Sequence, residues 1–249
     1  MISVTILTKN SSRYIQKVLE ALLPLPEVAI LDTGSEDDTI QIATQFPNVT
    51  CHKGRLVGFG EAHNLITSLA KHDWILSIDS DEVASKGLVE EILSTTLNAD
   101  TIYSISRHNY YRDKLIKGCG WYPDRVVRLY NRKKTRFSDA KVHEAIIKEG
   151  CQLAELKNPL LHYPYNSIDD FLKKMQLYSR LFAEQYAGKK KAGMTTAIGH
   201  GFFAFLKSYL IKQGALYGSE GFEISLYNAI TAYYKYLKLR DMNEQHVSK

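Results

Sequence analysis

Cysteine is scarce. Cys51, Cys119 and Cys151 are the only three in 249 residues, odd in number and widely spaced. They supply neither a disulfide framework nor paired metal-ligand spacing, so the chain is expected in a reducing cytoplasm. Glycine is missing where a dinucleotide-binding enzyme needs it. The stretch Thr8-Lys9-Asn10-Ser11-Ser12-Arg13 holds none, which excludes the Gly-x-Gly-x-x-Gly turn of a nicotinamide-dependent oxidoreductase. Gly-x-x-x-x-Gly-Lys-Ser/Thr is absent throughout, which excludes a P-loop kinase. No basic leader precedes the strand-like start Met1-Ile2-Ser3-Val4-Thr5-Ile6-Leu7, so no signal peptide is expected. There is no low-complexity segment, no repeat and no apolar run long enough to span a bilayer.

What remains is an ordinary globular composition, 45% hydrophobic and 24% charged, long enough to bury a substantial core. The net charge of +5 is unevenly spread. Residues 1–99 carry 7 Lys/Arg against 13 Asp/Glu, residues 100–150 carry 12 against 6, and residues 151–249 carry 13 against 8. The basic remainder suits an anionic acceptor or an anionic membrane surface, or is a solvated face without a partner.

The first hundred residues alternate strand and helix. Strands are expected at 2–8, 28–31, 49–52 and 74–78. Between them lie a helix capped by Ser11 or Ser12 with Ile15, Val18, Leu19, Leu22 and Leu23 on one face, a helix opened by Ser35 and Asp38 at capping-box spacing, and a helix at 61–71. Ser85 is expected to cap a further helix to about residue 97. This βαβαβαβ order predicts an α/β fold with an open, mainly parallel sheet flanked by helices, whose ligands gather at the carboxyl ends of strands. Strand-like segments follow at 102–105, 126–130 and 155–163, the last limited by Pro159. Helices then occupy 168–186, 195–212 and 221–239.

Trp74-Ile75-Leu76-Ser77-Ile78-Asp79-Ser80-Asp81-Glu82 is the most informative run. A buried strand ends in three carboxylates within four residues, which repel one another and lose hydration unless something offsets them. A hard divalent cation held by a nucleotide diphosphate does so, because Mg2+ takes one or two protein carboxylates plus phosphate oxygens. An exposed acidic turn is the bland alternative. Three strands end in polar residues, at Thr8-Lys9-Asn10, Asp32 and Asp79-Ser80-Asp81, and that convergence favours the metal-nucleotide reading. Glu82 is either a further acid of the site or, the reading preferred here, the start of a helix.

These residues resemble a known group. Residues 2–10, the stretch Ile30-Leu31-Asp32-Thr33-Gly34-Ser35-Glu36-Asp37-Asp38-Thr39, and Asp79-Ser80-Asp81 are similar to the nucleotide-sugar half of glycosyltransferase family 2, which has the GT-A fold. Gly120-Trp121-Tyr122-Pro123-Asp124, Arg128-Leu129-Tyr130, Lys141-Val142-His143-Glu144 and His162-Tyr163 resemble bacterial lipopolysaccharide inner-core β-glucosyltransferases. The resemblance implies three regions: residues 1–99 as the nucleotide-sugar-binding half of the GT-A domain, 100–166 as its acceptor-side half, and 167–249 as a C-terminal helical region. It implies that Asp32 binds uracil, accepting the N3 proton, with Thr8 and Asn10 lining the pocket. Asp81 ligates Mg2+ or Mn2+, and Asp79 approaches the ribose or the metal. Glu144 takes the place of the catalytic base, although Val142-His143-Glu144 departs from the commoner Glu-Asp pair. Trp121 and Tyr122 are either a sugar platform or core residues under a loop. Arg128, His143 and His162 are candidates for acceptor or diphosphate contacts, and alternation along a strand lets only one of Arg125 and Arg128 face the site.

The expected activity is therefore an inverting hexosyl transfer from a UDP-sugar, UDP-glucose first, to a lipid-linked core heptose at the cytoplasmic face of the inner membrane. Transfer to another glycan or a peptide side chain, nucleotidyl transfer, and a non-catalytic glycan-binding relative are the alternatives. No nucleic-acid partner is expected. The aromatic helix at 195–212, preceded by Lys189-Lys190-Lys191, either rests on a membrane surface or packs against the catalytic domain or a second subunit.

Overall fold

β1 (Ile2–Thr8) is buried on both faces, Ser3 and Thr5 as completely as Val4 and Ile6, as a central parallel strand must be. Helix α1 (Ser12–Ala21) follows, burying Ile15, Val18 and Leu19 at helical spacing. Then come β2 (Glu27–Asp32), α2 (Thr39–Ala43), β3 (Val49–Lys53), α3 (Phe59–Leu69) and β4 (Trp74–Asp79). These strands pair in parallel in the order β3-β2-β1-β4. The structure, a computed structural model, describes residues 1–55, 58–138, 144–165 and 167–247.

The order of these strands reverses between β1 and β4, and that point sets the carboxyl ends of both strands beside a crevice. Thr8 lies opposite Asp32 and Leu7 opposite Asp79, so the polar strand ends meet at one level of the sheet. Beyond β4 the pairing turns mostly antiparallel. A three-residue strand β5 (Glu82–Ala84) is followed by α4 (Lys86–Ser94), whose first turn is capped by the Ser85 hydroxyl accepting from Leu88 N–H at 3.2 Å. The next strands are β6 (Thr101–Tyr111), β7 (Lys114–Leu115), β8 (Arg125–Asn131), β9 (Gln152–Glu155) and β10 (Leu160–Tyr165). β8 runs antiparallel to both β4 and β6, and β10 antiparallel to β5.

Three expectations are corrected. Glu82 does not start a helix: it is the first residue of β5, opposite His162 of β10. The segment at 155–163 is two strands, because Pro159 has no N–H to continue a ladder. The Ser35/Asp38 capping box does not form. Ser35 gives both its N–H and its hydroxyl to Asp32, and it is Asp37 that accepts from Thr39 N–H at 3.1 Å.

Two compact units result. One comprises Met1–His108 with Asp124–His162, and the other Asn109–Pro123 with Tyr163–Lys249. The second holds α5 (Ile168–Tyr186), α6 (Met194–Leu206) and α7 (Gly218–Val247). α5 opens on a capping box, with Ser167 and Asp170 each accepting from the other's backbone N–H. Its core is aromatic, Tyr111 and Phe171 meeting edge to face and Tyr165 stacking on Phe171. Cys51, Cys119 and Cys151 are free thiols.

Candidate active site

The loop after β1 turns at Asn10, whose φ of +52° lies in the left-handed region that asparagine tolerates. Its side-chain oxygen accepts from Glu36 N–H at 2.8 Å, and its own N–H donates to the Ser35 hydroxyl at 3.0 Å. Ser11 N–H donates to Thr39 Oγ1 at 2.7 Å and Ser12 N–H to Asp37 Oδ2 at 3.0 Å. Desolvation pushes Asp37 up, but the hydrogen bonds from Thr39 and Ser12 together hold it at about 2. The loops after β1 and β2 are thus fastened by charge-assisted bonds before any ligand arrives. Asp32 is buried with Oδ1 occupied by Ser35, while Oδ2 has no hydrogen-bond partner among the described residues. The Thr8 hydroxyl beside it is also buried without a partner there.

At the tip of β4 the carboxylates are separated by cations. Arg128 Nη2 of β8 donates to Asp79 Oδ2 at 2.5 Å and to Glu82 Oε1 at 2.6 Å. Arg107 of β6 donates to the same Glu82 oxygen at 3.2 Å and forks onto both oxygens of Asp124 at 2.9 and 3.1 Å. Glu82 is fully buried, and its second oxygen accepts from Asp79 N–H at 3.1 Å. Burial pushes Asp79 up, but Arg128, His63 and His162 outweigh it and hold Asp79 at about 2. Burial and the Asp79 charge push Glu82 up, against Arg128 and Arg107. Asp79 is therefore an ionised, already neutralised group. Arg125 goes elsewhere, to Leu156 O and Glu155, so alternation along β8 does leave Arg128 alone on the acidic side.

Asp81 lies two residues past the tip and is partly exposed. His162 Nε2 approaches its Oδ1 to 3.7 Å. Between the two aspartates, the Ser80 hydroxyl meets the Ser11 hydroxyl at 2.7 Å, tying the loop after β4 to the loop after β1 across the switch point. Among the described residues no group of three or more His, Cys, Asp or Glu side chains gathers to hold a metal unaided.

Glu144 lies two residues before Ile146, which forms a backbone bridge with Phe137, a neck in the chain. Ser138 N–H donates to Ala145 O at 2.9 Å, and Ala145 N–H donates to the Ser138 hydroxyl at 3.3 Å. The neck is gripped from α3. The Asn64 amide donates to Phe137 O and accepts from Phe137 N–H, both at 3.0 Å, while His63 stacks on the Phe137 ring at 4.2 Å. His63 Nδ1 also reaches the Ser77 hydroxyl of β4 at 3.3 Å, and burial pushes His63 down to about 4 against the pull of Asp79. His143 lies outside the described residues, as do Lys141 and Val142.

Trp121 and Tyr122 belong to the second unit. The Trp121 ring packs on its aromatic core, 5.5 Å from Tyr165, and the Asn109 amide donates to Trp121 O at 3.0 Å. Tyr122 is exposed, with Lys117 Nζ 5.7 Å from its ring centre. Thr8, Asn10, Asp32, Asp79, Asp81, Arg128 and His162 thus fall together in the first unit, around the ends of β1, β2 and β4. Sequence reading overlooked Arg107, Asp124, His63 and Asn64. The signal for the first two was present: three carboxylates in four residues demand nearby cations, and a second arginine brings its own counter-ion.

Comparison with known proteins gives the family and the fold. The family model described as Glycosyl transferase family 2 matches residues 3–147. An uncharacterized glycosyltransferase of Rickettsia prowazekii is 28% identical over 97% of this chain and 87% of its own length. The lipopolysaccharide core biosynthesis glycosyltransferase LpsC of Rhizobium meliloti is 27% identical over 74% of this chain and 71% of its own. Among solved structures, S. aureus TarS 1–349 in complex with UDP has a TM-score of 0.51 at 16% identity, covering 99% of this chain and 91% of that one. The mannosyltransferase of Pyrobaculum calidifontis in complex with GDP-Man and Mn2+ has a TM-score of 0.50 at 14% identity, covering 93% and 73%. Their fold is the GT-A type, and so is this one. A parallel sheet of order 3-2-1-4, an acidic pair at its switch point and the matching family model make this chain a member of glycosyltransferase family 2.

Proposed function

We propose that the chain is an inverting, metal-dependent hexosyltransferase. It moves glucose from UDP-glucose to a heptose hydroxyl of the lipopolysaccharide inner core, at the cytoplasmic face of the inner membrane. The observation that carries the reading is the division of labour between the two aspartates: Arg128 neutralises Asp79, and Asp81 stands beside His162 on the exposed side of the tip. One hard carboxylate with diphosphate oxygens to complete the shell suits Mg2+ or Mn2+, so the residues present fit such an ion. When bound, the ion supplies Lewis-acid neutralisation of the charge on the departing diphosphate. Asp32 Oδ2 and the unpartnered Thr8 hydroxyl offer the nucleoside its polar contacts, and the similarity to LpsC supports a core acceptor.

In the reaction the acceptor oxygen bonds to the anomeric carbon while the bond from that carbon to the diphosphate oxygen breaks. The electron pair leaves with UDP, and the acceptor proton passes to the Glu144 carboxylate. Incubation of the purified protein with UDP-glucose, heptose-terminated core lipid and Mn2+ should give the glucosylated lipid and free UDP in equal amounts. Transfer from a different sugar nucleotide only, or onto a peptide only, would replace the substrate assignment.

A further inference from the structure

α6 is built inside out. The residues it buries are small (Ala197 and Gly201), and Ser208 continues that buried side in the helical turn that follows. Gly201 is the reason for the close approach: a Cβ there would lie 3.2 Å from Ala229 O and from Tyr233 Cβ on α7. The large apolar side chains point the other way. Ile198, Phe202, Phe203, Leu210, Ile211 and Leu216 are each 55–75% exposed. At 100° per residue, Ile198, Phe202, Phe203 and Leu210 fall within one arc of about 140°, opposite the buried side. An ordinary surface helix has the reverse pattern.

The charge around this face has one sign. Residues 185–219 contain five lysines and no Asp or Glu. Lys189, Lys190 and Lys191 precede α6, Lys207 borders the arc four residues after Phe203, and Lys212 follows Ile211; all five are exposed. The second unit carries 15 Lys/Arg against 8 Asp/Glu, a net of +7. Two such faces brought together would repel, whereas an anionic lipid surface offers both the apolar depth and the opposite charge. Among the described residues no helix is long and apolar enough to cross a membrane.

The geometry points to the outer face of α6 and the turn after it as an in-plane membrane-docking surface. Phe202, Phe203, Leu210 and Ile211 enter the headgroup boundary, and the flanking lysines rest on anionic headgroups. The inference rests on the lipid-anchored acceptor proposed above. Vesicle binding is measured without sugar nucleotide, so the two can fail separately.

The test is flotation of the full-length protein with vesicles of phosphatidylglycerol and phosphatidylethanolamine, and with neutral phosphatidylcholine vesicles. Wild type should float with the anionic vesicles. The pairs F202S/F203S and L210S/I211S, each replacing side chains that face solvent, should independently lower binding about tenfold or more. Both should leave Tm and UDP release in lipid-free solution unchanged. K189Q/K190Q/K191Q should remove the preference for anionic over neutral vesicles. Wild type left unbound by both vesicles, serine variants that bind as wild type, or a lipid-free dimer that F202S/F203S dissolves would each overturn the proposal, the last by making the face a contact between two copies.

Discussion

Arg128 is the residue on which the acidic tip depends. It bonds Asp79 and the fully buried Glu82 from one nitrogen, so removing it takes the cation from Asp79 and leaves Glu82 with Arg107 alone. Breaking a buried pair by deleting one partner costs about 3–5 kcal/mol, and Arg128→Met is expected to lose that much in urea unfolding. Wild-type tolerance of Arg128→Met would mean that Arg107 alone carries the charge. Asp79 adds a pH dependence of definite sign. Its folded pKa of about 2 lies below the ordinary 3.8, so the stability it contributes is present above pH 4 and is lost as pH falls through 2. His63 acts in a higher window. It is buried and held at about 4 against an ordinary 6.5, so the unfolded chain binds the extra proton and stability drops as pH falls from 6.5 towards 4. The loss is on the order of 3 kcal/mol at its limit. Tm measured from pH 7 to 4 should fall less steeply in His63→Gln than in wild type, and parallel curves would show that His63 is not the titrating group. For chemistry, Glu144→Gln should leave UDP affinity unchanged and lower transfer by about 100-fold or more. Transfer at the wild-type rate would remove Glu144 from the base role.

At the level of elements, the Phe137–Ile146 neck beside Glu144 is set by α3. Asn64 satisfies both the N–H and the carbonyl of Phe137, so Asn64→Ala leaves two backbone groups short of partners. A loss of about 1–3 kcal/mol in stability is expected, with kcat lowered and UDP affinity kept. An unchanged kcat would show that the neck holds without this clamp. Much of this level was readable from the sequence. Strands at 2–8 and 74–78 and the helix at 168–186 are continuous patterns of one period, and they fall within a residue of the observed β1, β4 and α5. What escaped was non-local. β5 is a three-residue strand that exists because β10 pairs with it, and nothing in Glu82-Val83-Ala84 itself announces a strand. The Ser35/Asp38 cap failed because Asp32, three residues before Ser35, competes for the serine hydroxyl. In the site, Asp32, Asp79 and Asp81 were legible as strand-end acids. Asn64 was not, because its partner Phe137 lies 73 residues away in the chain.

Across the molecule, charge divides along the two units, −2 in the first and +7 in the second. The first concentrates carboxylates at the carboxyl end of β4 and tolerates them by interleaving Arg107 and Arg128. The proposed function assigns Asp81 to the cation that arrives with the donor. That is the central claim, and calorimetric titration of UDP with and without Mn2+ tests it directly. Wild type should bind UDP at least about tenfold more tightly with Mn2+, and Asp81→Ala should bind it weakly and equally in both conditions. Asp81→Ala that keeps the full Mn2+ enhancement would contradict the account.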